Sequence, residues 1–186
     1  MKLEQEELDS IIRGCKNRDR KSQQKVYEMF YGKMLPLCNR YAKNSDEAKD
    51  ILQNGFMKVF EKIDKYDFTG SFGGWVRRLI VNTAIDHYRK HKKEFLIEDQ
   101  ARIEDEDKWY EDESVSKYEG IDYEDIQDAI RQLSPAYRMV FNLYILEGHS
   151  HQEIADILGV SVGTSKSNLA KAKANVKKIL TKKLKK

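Results

Sequence analysis

A chain of 186 residues is long enough for one large domain or two small ones. Its 40% hydrophobic content can build a core, while 35% charged residues and only two prolines argue against a turn-rich all-β fold. No apolar run approaches the length of a bilayer span, and the opening Met1-Lys-Leu-Glu-Gln-Glu-Glu has no signal-peptide core, so a cytoplasmic protein without membrane insertion is expected.

The predicted elements are all helical. Leu8, Ile11, Ile12, Val26, Met29, Phe30, Met34, Leu37 and Tyr41 recur at three- and four-residue steps, as amphipathic helices require. Ser45-Asp-Glu-Ala reads as an N-cap with acids in the first turn. The helix after it buries Ile51 or Leu52, Phe56, Val59, Phe60 and Ile63, which leaves Asp50, Gln53, Asn54, Met57, Lys58 and Glu61 outward. A glycine-containing loop over 67–74 leads into a helix from about Trp75 to Lys90 that buries Leu79, Ile80, Thr83 and Ile85.

Residues 94–125 lose the periodicity and carry 14 acids against 3 bases, interrupted by Trp109, Tyr110, Tyr118 and Tyr123. They read as an acidic linker. It separates residues 1–93, with 20 bases against 13 acids, from a C-terminal part whose last thirty residues hold nine lysines and no acid. Two basic blocks on a tether can each meet a polyanion, the alternative being faces that only keep helices solvated.

The C-terminal module, 126–186, starts with Ile126, Ile130 and Leu133 on one face. Ser134-Pro135 reads as N-cap and first-turn proline of a helix with Val140, Phe141, Tyr144 and Ile145, ended by Gly148. Ser150-His-Gln-Glu153 fits a capping box before Ile154, Ala155 and Leu158. Gly159 makes a turn, Ser161 caps again, and a basic helix follows. This is a helix-turn-helix. Its second helix turns Val162, Thr164, Lys166, Ser167, Asn168 and Lys171 outward, with Leu169, Ala172 and Val176 inward. Asn and Lys read base edges, while Ser, Thr and further lysines such as Lys173, Lys177 and Lys178 hold phosphates. Ser165 falls on the inward stripe, where its hydroxyl is expected to bond back to a carbonyl of the preceding turn. A plain α-hairpin with a solvated lysine tail is the alternative.

In the N-terminal module, rings and cations alternate: Lys62, Lys65, Tyr66, Phe68, Phe72, Trp75, Arg77, Arg78, Tyr88 and Arg89. Aromatic side chains capture unstacked bases while cations follow the backbone, so the set suits single-stranded DNA. Asn82, mid-helix, can hydrogen-bond an everted base. Against this stands the reading that Phe72 and Trp75 close the core of a helical bundle.

Other chemistry finds little support. Cys15 and Cys38 lack metal-ligand spacing and read as free thiols, a disulfide being the alternative. His149 and His151 lack a third ligand, so no metal is expected. A nuclease using His87, His91, His149 and His151 is one rival; a ligand- or phosphate-sensing regulator is another, but no acidic phosphoacceptor cluster stands in 1–93.

The ordered set of motifs resembles a family. Asp50-Ile-Leu-Gln53-Asn-Gly-Phe56, Phe68-Thr-Gly-Ser-Phe72-Gly-Gly-Trp75, Asn82-Thr-Ala-Ile-Asp86-His-Tyr-Arg89, Leu133-Ser-Pro and Glu153-Ile-Ala-Asp-Ile-Leu-Gly159-Val-Ser-Val-Gly163-Thr are similar to regions 2 and 4 of extracytoplasmic-function sigma factors. The matched runs are Val26–Lys93 and Ile126–Leu180. The resemblance implies that Asp50, Gln53, Asn54, Met57 and Lys58 dock on the clamp helices of the β′ subunit of RNA polymerase core, with the β flap as a second contact. It implies that loop 67–74 and Asn82 trap a base of the −10 element, with Lys62, Lys65, Phe68, Phe72, Trp75, Arg77, Arg78 and Arg89 around it. Ser161, Thr164, Lys166, Ser167, Asn168, Lys171 and Lys173 would read the −35 element, an anti-sigma factor joins the implied partners, and the resemblance implies no catalytic residue and no cofactor. Three positions depart from the family pattern. Gly55 interrupts the docking helix at a propensity cost of ~1 kcal/mol, Asn168 stands where many members have arginine, and Ser165 replaces a usual valine.

Overall fold

The computed structural model describes residues 2–103 and 121–184, with side chains from 5–95 and 121–184. The expectations for Trp109, Tyr110, Tyr118 and most of the acidic linker lie outside the described residues. Among the described residues every regular element is helical, and no helix is long and apolar enough to cross a membrane. Two compact units divide the chain, Met1–Ala84 and Ile85–Lys186.

In the first unit, α1 (Lys2–Lys16) and α2 (Arg20–Tyr41) are joined by a turn that Arg18 enters with φ 61°. Asp19 caps α2 by accepting from the Ser22 amide at 2.8 Å, and the Ser22 hydroxyl and amide hold its carboxyl below the usual range. Arg18 then ties the turn to the next helix, donating to the Phe60 carbonyl at 2.7 Å and to Asp64 at 2.9 Å. Helix α3 (Ser45–Glu61) begins one residue earlier than the sequence predicts: Asn44, not Ser45, is the cap, accepting from the Glu47 amide at 2.8 Å. A short 3₁₀ turn, Ile63–Lys65, leads to the loop before α4 (Phe72–Ile103).

The core of this unit is Ile12, Val26, Ile51, Leu52, Val59, Ile63, Val76 and Ile80. Ile51 and Leu52 are both buried, whereas Met29, predicted inward, is 47% exposed. Cys15 and Cys38 are free and buried, and burial pushes their thiols up to about 11 and about 12, so neither is a ready nucleophile. Gly55 carries a different meaning from the one propensity gives it. A Cβ there would lie 2.4 Å from Cδ1 of Ile80, a fully buried side chain, so the glycine lets α3 lie against α4.

Helix α4 was expected to end near Lys90 but runs to Ile103, ten residues into the segment read as linker. The second unit also holds α5 (Tyr123–Arg131), α6 (Pro135–Phe141), α7 (His151–Leu158) and α8 (Val162–Leu184). Asp122 and Asp125 form a capping box on α5 that sequence reasoning missed. Leu133, Tyr137 and Ala172 centre a core with Ala136, Phe141 and Val176 against it. Ile126, predicted inward, is 40% exposed. The backbone after α6 widens into a π-helical turn, Asn142–Leu146, where an ordinary helix was expected.

Candidate nucleic-acid interface

The helix-turn-helix is built by local chemistry. The Ser150 hydroxyl accepts from the Glu153 amide at 3.2 Å while the Ser150 amide donates to Glu153 at 2.8 Å, both halves of the predicted box. The backbone N–H of Ser150, then its hydroxyl, hold the Glu153 carboxyl below its ordinary range. A carboxyl depressed in the folded state contributes stability that is present above its unfolded value and lost as pH falls through its folded one. Ser150→Ala removes the hydroxyl but keeps the amide. It should therefore move the Glu153 titration part-way up and shift the acid limb of unfolding to higher pH, which NMR titration and acid melts will read.

Gly159 closes α7 in the left-handed conformation, φ 62°, and Ser161 caps α8 by accepting from the Thr164 amide at 2.9 Å. On α8, Ser161, Thr164, Lys166, Ser167 and Lys173 are exposed, and Asn168 and Lys171 half-buried. The ammonium groups of Lys171 and Lys173 stand 5.9 Å from the ring centres of Tyr137 and Tyr144. Ser165 is fully buried, but its partner is not the preceding turn: its hydroxyl meets Nδ1 of His151 at 3.0 Å, and that imidazole stacks on Tyr144 at 4.5 Å. His151 thus packs inside the motif, and among the described residues no group of His, Cys, Asp and Glu could hold a metal.

The other candidate surface is the loop between the 3₁₀ turn and α4. Gly70 takes φ 73°, and Tyr66 donates its hydroxyl to the Gly70 carbonyl at 2.9 Å. Asp67 accepts from the Thr69 amide and hydroxyl, which hold its carboxyl low. Ser71 accepts from the Gly74 amide at 3.3 Å as α4 starts. The result is an open groove of about 450 Å³, bordered by Lys65, Asp67, Gly70, Trp75 and Arg78 among others.

The predicted aromatic set divides here. Phe68 is exposed and Trp75 half-buried, but Phe72, Tyr66 and Tyr88 are buried. Phe72 packs edge-on against Phe30 at 5.6 Å and Tyr66 at 5.0 Å and stacks on Trp75 at 5.7 Å. As placed, Phe72 is the floor beneath Trp75 and offers no open face to a base. Lys65, Arg78 and Asn82 are exposed, Lys62 and Arg77 half-buried. Arg89 is engaged within the second unit, its guanidinium donating to the Ile157 carbonyl at 2.7 Å, with Lys92 on Leu158 at 3.0 Å. On α3, Asp50, Gln53, Asn54 and Met57 are exposed, Met57 at 63%, and Lys58 is half-buried. The nearby Tyr27 and Tyr31 rings, 5.4 Å apart on α2, are also exposed.

Residues 26–94 match the family described as sigma-70 region 2, and residues 123–176 match sigma-70 region 4. The RNA polymerase sigma factor SigV of Bacillus subtilis (strain 168) is 31% identical over 136 residues, 73% of this chain and 77% of that protein. The chain belongs to the ECF RNA polymerase sigma factors. A further relative, the ECF sigma factor SigW of the same organism, is 28% identical over 91% of this chain and 94% of its own length. In a solved complex from Bartonella quintana, the sigma factor RpoE bound to the anti-sigma factor NepR, RpoE is 21% identical with a TM-score of 0.48, covering 85% of this chain and 96% of that one.

Two residues of this sigma factor bear on the groove without having been foreseen. Lys16 and Arg13, in the last turn of α1, lie over the Phe68 ring at 4.9 Å and 5.6 Å. From sequence alone, basic residues closing a helix read as complements of its dipole. No local pattern links them to a ring fifty residues on.

Proposed function

We propose that this sigma factor binds RNA polymerase core, recognises the −35 and −10 promoter elements and promotes DNA melting. Residues 1–93 act on core polymerase and the −10 element, 126–186 on the −35 element, with 94–125 as the connection. Core polymerase meets the exposed face of Asp50, Gln53, Asn54, Met57 and Lys58 through its β′ clamp helices, and the C-terminal module through the β flap. Promoter DNA and an anti-sigma factor are the other partners. The protein works in the cytoplasm, as a binding protein rather than an enzyme.

The observation that carries this reading is the groove before α4. Trp75, seated on buried Phe72, offers a rigid half-exposed ring, with Lys65 and Arg78 at the rim and Asn82 one turn along α4 from Arg78, while Tyr66 touches both Trp75 and exposed Phe68. A single unstacked base fits rings, while the adjoining phosphates fit the cations. Such a site has affinity for the parted strand and little for the paired one, so binding shifts the melting equilibrium by that difference in affinity. On α8 the acid-free row from Ser161 to Lys173 suits a major groove, with Asn168 and Lys166 toward base edges and the hydroxyls toward phosphate.

The test is reconstitution of holoenzyme from core polymerase and this chain, followed by run-off transcription on genomic fragments and permanganate mapping of unpaired thymines. Initiation from a defined subset of fragments, each with a mapped bubble, is expected. Stable holoenzyme that initiates from none would sink the proposal.

A further inference from the structure

The geometry points to Lys16 and Arg13 of α1 as positioning residues of the base-trapping loop. They stand outside residues 26–94, the stretch that matches sigma-70 region 2. Lys16 makes two contacts at once: its ammonium donates to the Tyr66 carbonyl at 2.6 Å and lies 4.9 Å from the centre of the Phe68 ring. Arg13, one turn earlier, brings its guanidinium to 5.6 Å from the same ring. Phe68 needs such a hold. Its backbone is in the left-handed region at φ 63°, which a bulky residue adopts only when its surroundings impose it, and its side chain is 36% exposed. Tyr66 is the hinge of the arrangement: its carbonyl takes Lys16, its ring meets Phe68 at 5.4 Å and Trp75 at 5.5 Å, and its hydroxyl holds Gly70.

Lys16 therefore holds Tyr66, which borders the groove, together with the neighbouring Phe68 ring, and with them the shape presented to a base. Removing the ammonium frees the Tyr66 carbonyl and lets Phe68 relax out of its strained conformation. Arg13 acts on the ring alone and so contributes less. The inference rests on the groove being a base trap.

The experiment uses holoenzyme made with the full chain and a pool of randomised twelve-nucleotide single strands, partitioned by retention and sequenced. Wild-type protein is expected to retain strands with a base preference at one position. Lys16→Met should flatten that preference and lower retention about five-fold, Lys16→Arg should restore both, and Arg13→Gln should show a smaller change of the same kind. A Lys16 that only contacts phosphate would lower retention while leaving base preference intact, and a merely structural Lys16 would lower the melting temperature without altering preference; either result overturns the inference. Should Lys16→Met fail to fold, the exposed Arg13→Gln decides by the same criterion. If wild-type holoenzyme retains no strand, the base trap itself is refuted, a failure distinct from an unchanged preference in the variants.

Discussion

Trp75→Ala should cost roughly 1–3 kcal/mol of affinity for the parted −10 strand, about five- to a hundred-fold, and open-complex formation should fall by at least as much. The ring is the one aromatic of the groove that is both supported and accessible, stacked on Phe72 at an interplanar angle of 21° and half-buried. Fluorescence of 2-aminopurine placed at successive non-template positions reads the loss directly. Asn82→Ala should weaken discrimination between bases more than affinity for the strand, because an amide selects by hydrogen bonds whereas a ring accepts any π-face. Trp75→Phe, which keeps a ring over Phe72, should retain most of the activity and so separates stacking from any loss of fold. Holoenzyme assembly and binding to −35 duplex should not change in either variant. Bubble formation at the wild-type level by Trp75→Ala would remove the groove from the mechanism.

Gly55→Ala is expected to destabilise the first unit by up to about 2 kcal/mol, against the sign that helix propensity gives. Propensity favours the alanine by about 1 kcal/mol. The added methyl group, however, would stand 2.4 Å from Cδ1 of Ile80, which is 1% exposed and has little room to turn away, and overpacking of that kind costs about 1–3 kcal/mol and sometimes more. Ile80→Val deletes the offending carbon and alone costs about 0.5–1.5 kcal/mol. The double variant should be more stable than the sum of the two single changes predicts, since each relieves what the other imposes. Denaturant melts of the four proteins complete the cycle. Additive losses would mean that the two helices part easily and that the glycine has no packing role.

The same residue illustrates what a sequence yields and what it withholds. Many signals whose partners lie within a few residues were legible, among them the Ser150–Glu153 box, the Gly159 turn, the Ser134–Pro135 start and the Ser161 cap, although the Asn44 cap was placed one residue late and the Asp122–Asp125 box was missed. Readings that depended on a distant neighbour went astray. Gly55 looked like a weak helix former because Ile80 is twenty-five residues away. Ser165 looked like a poor core residue because its imidazole partner belongs to another helix. Alternating rings and cations suggest a nucleic-acid surface but not which rings stay open; Tyr66, Phe72 and Tyr88 are buried, while Phe68 is exposed and Trp75 half-buried. Lys16 and Arg13 were invisible for the same reason: helix periodicity describes one helix at a time.

The absence of a side chain at Gly55 also has a mechanical consequence. Helix α3 bears Asp50, Gln53, Asn54, Met57 and Lys58, the face proposed to meet polymerase, and α4 bears Trp75, Arg78 and Asn82; where they touch, peptide backbone meets a branched aliphatic with no compliant spacer between. On the proposed function, handle and jaw are in effect forged as one piece, and an enzyme gripping the handle would also aim the jaw.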